Sequence, residues 1–589
     1  MEKIKNNSIT IKNVGEEITV YGWASKVRNL GGLIFIDLRD KYGIVQLVIR
    51  PENEFYEVAN TIKNEYVLKA SGKVVERESK NTNIETGEIE IEVSNLEVLN
   101  TCEELPFMVV DDPKTSDDNR LKYRYIDIRR DKLKKNLMLR SDVLHFLRNK
   151  MYDNGFTEVQ TPILTASSPE GARDFVVPSR LFKGKFYALP QAPQIYKELL
   201  MVGGFEKYFQ IAPCFRDEDA RADRTLEFYQ LDLEMSFCDE EDILNVGEAI
   251  FYDTFTKFSN KKVSPRPFRR IAYKDAIDIY GSDKPDIRYE MLIENITDIF
   301  KDTEFTVFKN VIENNGIINC VVAKNAADKY SRKDLDKLTE FVKGKKASGL
   351  AYLKFNEEIT GSIAKVVSEK EINELKKNLN IENNDLVFIV SGEKKIVKSA
   401  LGALRIKLAE DLNLANKNEL ALCIINDFPM FERDEKTKKL EFCHNPFSLP
   451  HGGIKDYEEK NPEDILAYQF DFVCNGNEMA SGAIRNHDLD SLAKGFEIVG
   501  YTREEVEKRF KSIFTAFKYG CPPHGGMAPG IDRILMLIQD EPNLREVQAF
   551  PPSASGQDLM MGSPAELTSE QLEELGIEIK GKDDENESK

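Results

Sequence analysis

The sequence predicts an α+β protein of several domains, in which a small N-terminal β-barrel precedes a larger domain with an antiparallel sheet flanked by helices. Three observations support this. Residues 1–105 give five short strand signals with Gly and Asn turns and no long helix. Residues 228–234 alternate polar and apolar side chains, as a strand does. Residues 286–410 alternate charged helices with short apolar strands, which predicts a further α+β unit.

Length and charge limit the possible functions. The 589 residues suffice for about four modules of roughly 150 residues each. The net charge of −19 argues against binding nucleic acid by bulk attraction, but salt screens distant charges, so a local patch can still bind. Such a patch is predicted between residues 120 and 150, and its basic members are Arg120, Lys122, Arg124, Arg129, Arg130, Lys132, Lys134, Lys135, Arg140, Arg148 and Lys150.

The eight cysteines are scattered, without a CxxC pair or zinc-type spacing, so neither a disulfide framework nor a structural zinc is indicated. The N-terminus lacks an apolar signal segment, and no stretch reaches the length of a membrane helix. We therefore expect a cytoplasmic protein without a membrane partner.

The five N-terminal strands favour an OB-fold barrel. In LIFIDLR, Phe35 falls on the polar face with Asp37, which suits a stacking platform for an unpaired base. Gln46 interrupts an apolar strand, and Glu90 lies on the polar side of another. The alternative is a barrel with a partly exposed phenylalanine of no special function.

The most informative stretch is FRDEDARADRTLEFYQLDLEMSF, residues 215–237. Its second half predicts a strand with Gln230, Asp232 and Glu234 on a wet face and apolar residues on a packed face. Arg216 and Glu218 are predicted to end the preceding strand, with 219–225 as the hairpin loop. An ordinary solvated sheet face is the alternative interpretation.

Two further segments narrow the choice. GGMAPGIDRILMLI, residues 525–538, is a glycine run leading into an apolar helix, and GFTEVQTPIL, residues 155–164, is a helix end, a strand and a proline. With the 215–237 stretch, they resemble motifs 1, 2 and 3 of class II aminoacyl-tRNA synthetases, in particular the bacterial-type aspartyl enzymes of subclass b. The resemblance extends from about residue 1 to about residue 575.

The resemblance implies a domain order and, because motif 1 lies at the dimer interface in this class, a homodimer. The implied segments are an OB-fold anticodon-binding domain at 1–105, a hinge at 106–132, the first part of a class II catalytic domain at 133–285, an inserted GAD-type α+β domain at 286–410, the second part of the catalytic domain at 411–555, and a C-terminal extension with a disordered tail at 556–589.

The implied activity is the ATP-dependent attachment of L-aspartate to the 3′ end of tRNA-Asp, through an aspartyl-adenylate. A non-discriminating enzyme that also charges tRNA-Asn is one alternative, although Leu30 favours strict selection. A non-catalytic OB-fold binding protein with a decayed synthetase domain is another. In the family the anticodon is read at positions that correspond to Arg28, Leu30, Phe35, Gln46 and Glu90.

Attack on the α-phosphorus of ATP needs positioning and charge neutralisation, which guanidinium groups provide. Arg216, Glu218 and Arg533 are the expected catalytic residues. Mg²⁺ would accompany ATP, with Glu478 and Asp471 as its ligands. The expected ATP-binding residues are Arg216, Asp217, Glu218, Gln230, Glu478, Gly530, Asp532 and Arg533.

For the amino acid, Arg485 and Lys197 are expected to pair with the side-chain carboxylate, while Asp232 and Gln194 take the α-ammonium. Asparagine would leave two buried cations without an anion, and such a loss can discriminate by about 10⁴ to 10⁵. The aspartate-binding residues implied by the family also include Glu170, in a loop that closes over the amino acid, and His444, where a histidine approaches the bound substrates.

Glu478 and Arg485 would face opposite ways in a regular strand, so a bulge at Ser481-Gly482 is expected to bring them to one face. Ala480-Ser481-Gly482-Ala483 departs from the three glycines and a serine usual in the family. Asn486 replaces a common apolar residue, so the pocket floor is less well defined by the resemblance.

Overall fold

The computed structural model describes residues 4–167, 172–434 and 436–580. Glu170 and the predicted disordered tail after Lys580 lie outside these ranges. The chain forms two compact units, Met1–Lys134 and Lys135–Lys589. Within the described ranges, no helix combines the length and the apolar character that crossing a bilayer requires.

The first unit contains a closed five-stranded barrel, as the OB-fold prediction requires. The third and fifth strands pair in parallel, and the other neighbours pair antiparallel. Inward side chains such as Val20, Ile36 and Leu47 are fully buried. The strands are Glu17–Leu30, Leu33–Arg39, Ile44–Ile49, Val67–Glu76 and Ile89–Asn100.

Two short helices, Asp117–Lys122 and Arg124–Asp127, follow the barrel within the predicted hinge. The fully buried Asp127 pairs there with Arg120, Arg124 and Arg130, at 2.5 to 3.1 Å. Burial by itself would raise the pKa of Asp127. The guanidinium groups of Arg120 and Arg130 together have the larger effect, so the pKa is lowered. The predicted basic patch is therefore wrong in part, because these three arginines neutralise a buried carboxylate.

The second unit is built on an eight-stranded sheet. Its six inner strands pair antiparallel, and the strand at each edge pairs parallel with its neighbour. In spatial order the strands are Arg269–Ala272, Leu422–Asn426, Gln469–Cys474, Asn477–Ile484, His524–Met527, Glu227–Ser236, Lys207–Phe215 and Thr157–Glu158.

Helices flank this sheet, and Phe251 and Phe472 pack between them and the strands, with ring centroids 5.1 Å apart. The long first helix stops before Gly155, whose φ of +79° suits a residue without Cβ. The helices are Asp131–Asp153, Gln194–Val202, Glu240–Phe258, Tyr273–Tyr280, Ile454–Glu459, Leu489–Ile498, Arg503–Arg509, Lys511–Phe517, Ile531–Gln539 and Ser569–Leu575.

A separate five-stranded sheet lies within the predicted insertion. Its neighbouring strands all pair antiparallel, and its apolar faces are covered by four helices with their own core residues. The strands are Glu294–Asn295, Ile317–Ala323, Asp385–Gly392, Ala351–Phe355 and Ile359–Gly361 in spatial order, and the helices are Thr306–Glu313, Arg332–Lys343, Glu369–Asn378 and Lys394–Asp411.

Short two-stranded sheets complete the second unit, and they pair Lys262–Val263 with Glu419–Leu420, Phe428–Pro429 with Leu466–Ala467, Phe431–Arg433 with Leu440–Phe442, and Val176–Pro178 with Phe186–Ala188. All eight cysteines lie in the described ranges, and none forms a disulfide. Thr568 and Gln571 form a capping box at the start of the last helix.

Candidate active site

A cavity of about 620 Å³ opens on the main sheet of the second unit. It collects side chains from the motif-like segments that are hundreds of residues apart in sequence. The predicted site residues that line it are Gln194, Lys197, Arg216, Glu218, Gln230, Asp232, His444, Asp471, Glu478, Arg485, Gly530, Asp532 and Arg533.

One group of charged residues in and beside this lining is almost completely buried. Arg485 donates from Nε and Nη2 to the two carboxylate oxygens of Glu234, at 2.8 and 3.1 Å. Lys197 Nζ lies 2.7 Å from Asp232 Oδ1 and 3.2 Å from Glu234 Oε2. The predicted wet face of strand Glu227–Ser236 is therefore wrong, because Asp232 and Glu234 are both fully buried.

Opposite charges favour the ionised forms of Lys197 and Glu234 in this network, whereas burial raises the pKa of Asp232. Burial opposes the charge of Lys197, but Asp232 and Glu234 raise its pKa above the usual value. Burial also opposes the charge of Glu234, yet Arg485 and Lys197 lower its pKa to about 2. Glu234 thus holds both cations expected to bind the substrate carboxylate. The prediction that asparagine would leave these cations without an anion is wrong, since Glu234 is already their anion.

One atom of the network is left without a partner. Oδ2 of Asp232 is buried and has no donor at regular hydrogen-bond geometry among the described residues, and the same holds for the Tyr208 hydroxyl beside this carboxylate. Tyr208 is buried close to this carboxylate, and its pKa is raised by burial and by the charge of Asp232. A buried carboxylate oxygen without a donor is costly, and a bound ammonium group would satisfy it.

A second row of side chains extends the network. Gln194 donates to Glu198 Oε1 at 2.6 Å, and His524 Nε2 lies 3.3 Å from Glu198 Oε2. Burial lowers the pKa of His524, but the contacts with Cys521 and Glu198 outweigh it and raise the pKa to about 10. Sequence reasoning assigned no role to Glu198, Glu234 or His524, although the alternation on 228–234 had placed Glu234 beside Asp232.

The glycines before helix Ile531–Gln539 are explained by steric contacts. A Cβ on Gly526 would lie far inside van der Waals contact with Glu234 Oε2 and with the backbone oxygen of Leu233. Arg485 Nη2 also donates to the carbonyl of Gly526 at 3.3 Å. Strand His524–Met527 therefore contains a glycine where the Glu234 carboxylate needs room.

Glu478 and Asp471 lie on neighbouring antiparallel strands. The pairing places Phe472 opposite Ala480 and Val473 opposite Glu478, so the extra residue of the bulge is Met479. The predicted bulge at Ser481-Gly482 is wrong in position, although a bulge does bring Glu478 and Arg485 to the same face. Gly482 pairs regularly with Phe470 on one neighbouring strand and with Met527 on the other, so the strand has no bulge at this residue.

These two carboxylates differ in charge environment. Asp471 accepts from Ser481 Oγ at 2.5 Å, and burial together with Glu478 raises its pKa well above the usual range. Burial also opposes the charge of Glu478, but Lys284 and Arg533 lower its pKa. Lys284 Nζ lies 2.9 Å from Glu478 Oε2. Sequence reasoning did not single out Lys284.

The donor set fits a hard cation only in part. Among the residues that the structure describes, no group of three or more His, Cys, Asp or Glu side chains could hold a metal by itself. Two acidic groups, however, suit Mg²⁺, which usually keeps several waters and takes one or two carboxylates together with substrate phosphates. Burial and the neighbouring Glu478 carboxylate raise the pKa of Asp471, and the Lys284 ammonium offsets this only in part.

The predicted hairpin carries Arg216 and Glu218 in its connection and not in its first strand, which ends at Phe215. The Arg216 guanidinium lies over the Phe228 ring, 5.0 Å from its centroid, and this contact orients it. Glu218 pairs with Arg224 at 2.6 Å. Gln230 accepts from Cys214 Sγ at 3.2 Å.

Two predicted ATP-binding residues have other partners. Asp217 is not part of the cavity lining, and its carboxylate lies 4.0 Å from Arg173 Nε. Asp532 is buried and pairs with Arg140, while its Oδ2 accepts from the backbone N–H of Tyr229 at 3.3 Å. Asp532 therefore connects helix Ile531–Gln539 to the hairpin. The local sequence motif could not predict this contact.

The remaining predicted residues keep a place in the lining. Arg533 Nη1 donates to the carbonyl of Glu478 at 2.7 Å. Gly530 donates its N–H to the carbonyl of Met479 at 2.8 Å and begins the helix Ile531–Gln539. His444 packs edge-on against Phe428, and burial lowers its pKa.

Three of the residues that depart from the family pattern are buried, and Oδ1 of one of them, Asn486, accepts no hydrogen bond from the described residues. Ala480 and Ala483 are buried in contact with the core, and Ser481 faces the carboxylates. Gly482 remains necessary, since its Cβ would clash with the Phe470 ring. Asn486 is buried and donates to Ser491 Oγ at 3.0 Å, near the start of helix Leu489–Ile498.

The barrel, described by itself, has a polar face around Phe35. Arg28 is the cross-strand partner of Phe35, and its Nη2 lies 2.6 Å from Asp37 Oδ1. Gln46 donates to Glu90 Oε2 at 2.7 Å and accepts from Arg77 Nη2 at 2.8 Å.

This barrel face also shows what sequence reasoning missed. The expected anticodon residues Arg28, Phe35, Gln46 and Glu90 share one face. Leu30 is 62% exposed at the end of its strand. Asp37 and Arg77 complete the hydrogen-bond network there, although the strand pattern had not singled out Arg77.

Comparisons with known proteins identify the family of this chain. A family described as tRNA synthetases class II (D, K and N) matches residues 116–554, and an OB-fold nucleic acid binding domain matches residues 18–99. The chain belongs to the class II aminoacyl-tRNA synthetases. The described cavity lies within the region matched by the first family.

This synthetase has full-length relatives. It is 48% identical over 583 residues to the aspartate–tRNA(Asp/Asn) ligase of Pelagibacter ubique, with 98% of each chain covered. It is also 48% identical to the ligase of the same name from Rickettsia bellii, with 97% of this chain and 96% of the relative covered.

Solved structures share the fold at low identity. One is an asparaginyl-tRNA synthetase from Pyrococcus horikoshii complexed with asparaginyl-adenylate, with a TM-score of 0.57, 19% identity, and coverage of 94% of this chain and 98% of that chain. Another is an aspartyl-tRNA synthetase from Entamoeba histolytica, with a TM-score of 0.56, 18% identity, and coverage of 93% and 91%. The OB-fold and class II catalytic architecture predicted from sequence is confirmed.

Proposed function

We propose that this synthetase attaches L-aspartate to the 3′ end of tRNA-Asp, using ATP and passing through an aspartyl-adenylate. The observation that carries the proposal is the buried network of Lys197, Asp232, Glu234 and Arg485 in the same cavity as Arg216 and the carboxylate pair. Arg485 and Lys197 can share a substrate carboxylate with Glu234, which favours an acidic amino acid, and the relatives named aspartate–tRNA(Asp/Asn) ligases agree with that choice.

Within this proposal, Oδ2 of Asp232 accepts a hydrogen bond from the α-ammonium of aspartate. Arg485 and Lys197 bind the side-chain carboxylate while Glu234 keeps them in place. Arg216, held over Phe228, orients the α-carboxylate against the α-phosphate, and Arg533 binds the distal phosphates. Positioning and charge neutralisation are the main requirements of such an in-line transfer.

Asp471 and Glu478 are the residues that would hold Mg²⁺, and the bound ion would neutralise charge on the ATP phosphates. Ser481, which donates to Asp471, keeps that carboxylate directed toward the cavity.

ATP–pyrophosphate exchange tests the proposal. Exchange is expected with aspartate and not with asparagine or lysine, each supplied alone at equal concentration. No exchange with any of the three would favour a binding protein with a decayed synthetase domain. Exchange supported by lysine in place of aspartate would contradict the role given to Arg485.

The second candidate function is a synthetase that charges both tRNA-Asp and tRNA-Asn. The names of the two relatives favour it, whereas Leu30 on the barrel favours strict selection. Aminoacylation with radiolabelled aspartate, using purified tRNA-Asp and tRNA-Asn transcripts in parallel, separates the two. Charging of tRNA-Asp alone supports strict selection, and charging of both supports the broader activity.

We also propose a homodimer, from the resemblance of the first long helix, the strand Thr157–Glu158 and Pro162 to motif 1. Sedimentation equilibrium of the full chain is expected to give twice the mass of one chain. A mass that remains that of one chain at micromolar concentration would contradict the dimer.

A further inference from the structure

Lys284 is a cavity residue that neither the motifs nor the proposed chemistry uses. It lies between helix Tyr273–Tyr280 and the first strand of the insertion, outside the motif-like segments. Its Nζ is 2.9 Å from Glu478 Oε2 and 3.7 Å from Asp283 Oδ2, and its side chain is 37% exposed. An ammonium group therefore occupies the side of Glu478 that faces the cavity.

The segment that carries Lys284 is fixed by a helix of the insertion. Arg405, on helix Lys394–Asp411, is 1% exposed. Its guanidinium donates at 2.8 to 3.0 Å to the carbonyl oxygens of Asp286, Tyr289, Glu290 and Met291. One buried side chain thus binds several backbone carbonyls of the segment that follows Lys284.

The same helix contacts the other end of the segment. Gly281, with φ +69°, ends helix Tyr273–Tyr280 and packs against Gly402. A Cβ on Gly402 would lie 2.5 Å from the Gly281 carbonyl oxygen, so the two backbones touch. Lys398, one turn earlier, pairs with Asp278. Residues 278–291 are therefore held on both sides of Lys284 by the insertion.

We propose that Lys284 is an additional phosphate-binding residue of the ATP site, and that helix Lys394–Asp411 positions it there. A lysine ammonium is a compact charge on a flexible stem, so it can bind Glu478 in the free protein and a phosphate oxygen when ATP is present. This inference rests on the proposed function and gives the insertion a role in ATP binding.

The test compares Lys284→Met, Lys284→Arg and the matched control Lys333→Met, an exposed lysine of the insertion. In aspartate-dependent pyrophosphate exchange, Lys284→Met is expected to raise the KM for ATP by about tenfold or more, as loss of a charge-assisted contact predicts. The KM for aspartate is expected to stay within about twofold. Lys284→Arg should recover most of the loss, and Lys333→Met should match the wild type.

Calorimetric titration with a non-hydrolysable ATP analogue and Mg²⁺ gives a readout independent of turnover. Lys284→Met is expected to weaken analogue binding by the same factor as the KM for ATP. An unchanged dissociation constant and KM in folded Lys284→Met protein would overturn the inference. If the wild type itself shows no exchange with aspartate, the proposed function fails instead, and the two failures are distinguishable.

Gly402→Ala tests the positioning by the insertion while Lys284 is retained. The added methyl group must displace the Gly281 backbone, so the KM for ATP is expected to rise while the KM for aspartate stays constant. Gly349→Ala, where a Cβ meets nothing within 4 Å, is the control. An unchanged KM for ATP in folded Gly402→Ala protein would overturn the role of the helix and leave only the role of Lys284.

Discussion

At the residue scale, Glu234 explains how two cations can stay buried in the same pocket. It accepts a paired hydrogen bond from Arg485 and also contacts Lys197, so each charge has a partner before any substrate binds. Breaking one member of such a buried set usually costs about 3 to 5 kcal/mol, because the remaining charges lose their partner. Selection of aspartate over asparagine must therefore depend on how substrate and Glu234 share these cations.

Replacing Arg485 by Lys keeps the charge but removes the planar fork that binds Glu234. We expect kcat/KM for aspartate in pyrophosphate exchange to fall by about 100-fold, since paired charge-assisted hydrogen bonds contribute about 1.5 to 3 kcal/mol each. Arg509→Lys, at an exposed position, is the control. Wild-type kinetics in Arg485→Lys would contradict the assignment of Arg485 to the aspartate pocket.

His524 gives a prediction for the pH dependence of stability. Its pKa is about 10 in the folded protein against about 6.5 unfolded, so its contribution is complete below about pH 6.5 and is lost as the pH rises through about 10. The stability advantage of the wild type over His524→Gln should therefore shrink from pH 6 to pH 10 in urea denaturation. A constant difference across this range would contradict a pKa of His524 that is raised on folding.

At the element scale, the strand His524–Met527 is shaped by the strand beside it. It pairs with Glu227–Ser236 on one side and with Asn477–Ile484 on the other. It therefore lies between the strand that contains Glu234 and the strand that Arg485 follows. The bulge at Met479 acts in the same way, because it turns Glu478 to the face that Ser481 and Arg485 share. Pocket geometry thus depends on small backbone features of adjacent strands.

Gly526→Ala is expected to destabilise the protein by about 1 to 3 kcal/mol, as inserting a methyl group into a packed site does, and to weaken aspartate binding by displacing Glu234. Urea denaturation and the KM for aspartate measure the two effects. Gly349→Ala, where the added Cβ meets open space, should change neither. If Gly526→Ala keeps wild-type values for both, the carboxylate has more room than its contacts indicate.

At the scale of the whole molecule, the two compact units carry separate candidate sites. The barrel holds Phe35 and the hydrogen-bonded group around Gln46, whereas the second unit holds the cavity. The net charge of −19 does not prevent tRNA binding if local contacts provide it, since screening removes the effect of distant charges. The local contacts are fewer than the basic run at 120–150 suggests, because Asp127 binds three of its arginines.

Phe35→Ala is expected to weaken tRNA-Asp binding by about 1 to 3 kcal/mol, the contribution of a stacked base, without changing aspartate-dependent pyrophosphate exchange. Filter binding and exchange assays measure the two activities. Tyr42→Ala, which removes a 42% exposed aromatic ring elsewhere on the barrel, is the control. A fall in exchange activity for Phe35→Ala would contradict the division of labour between the two units.

The sequence alone determined the barrel, the hairpin, the glycine run before its helix and most of the cavity lining. These features follow from the periodicity of apolar residues and from short motifs, because in both the residues that determine the structure are close together in the chain. Strand Glu227–Ser236 is an example, because its alternation was correct even though its polar face is buried and not wet.

Only the tertiary structure decided which charges meet. Arg485 and Glu234 are 251 residues apart, and Asp532 and Arg140 are 392 apart, so no local pattern could pair them. The bulge at Met479 and the placement of Lys284 beside Glu478 likewise depend on which strands and helices adjoin. Local sequence predicts to which face of a strand or helix a side chain points. Its hydrogen-bond or charge partner is decided by the tertiary contacts of the folded chain.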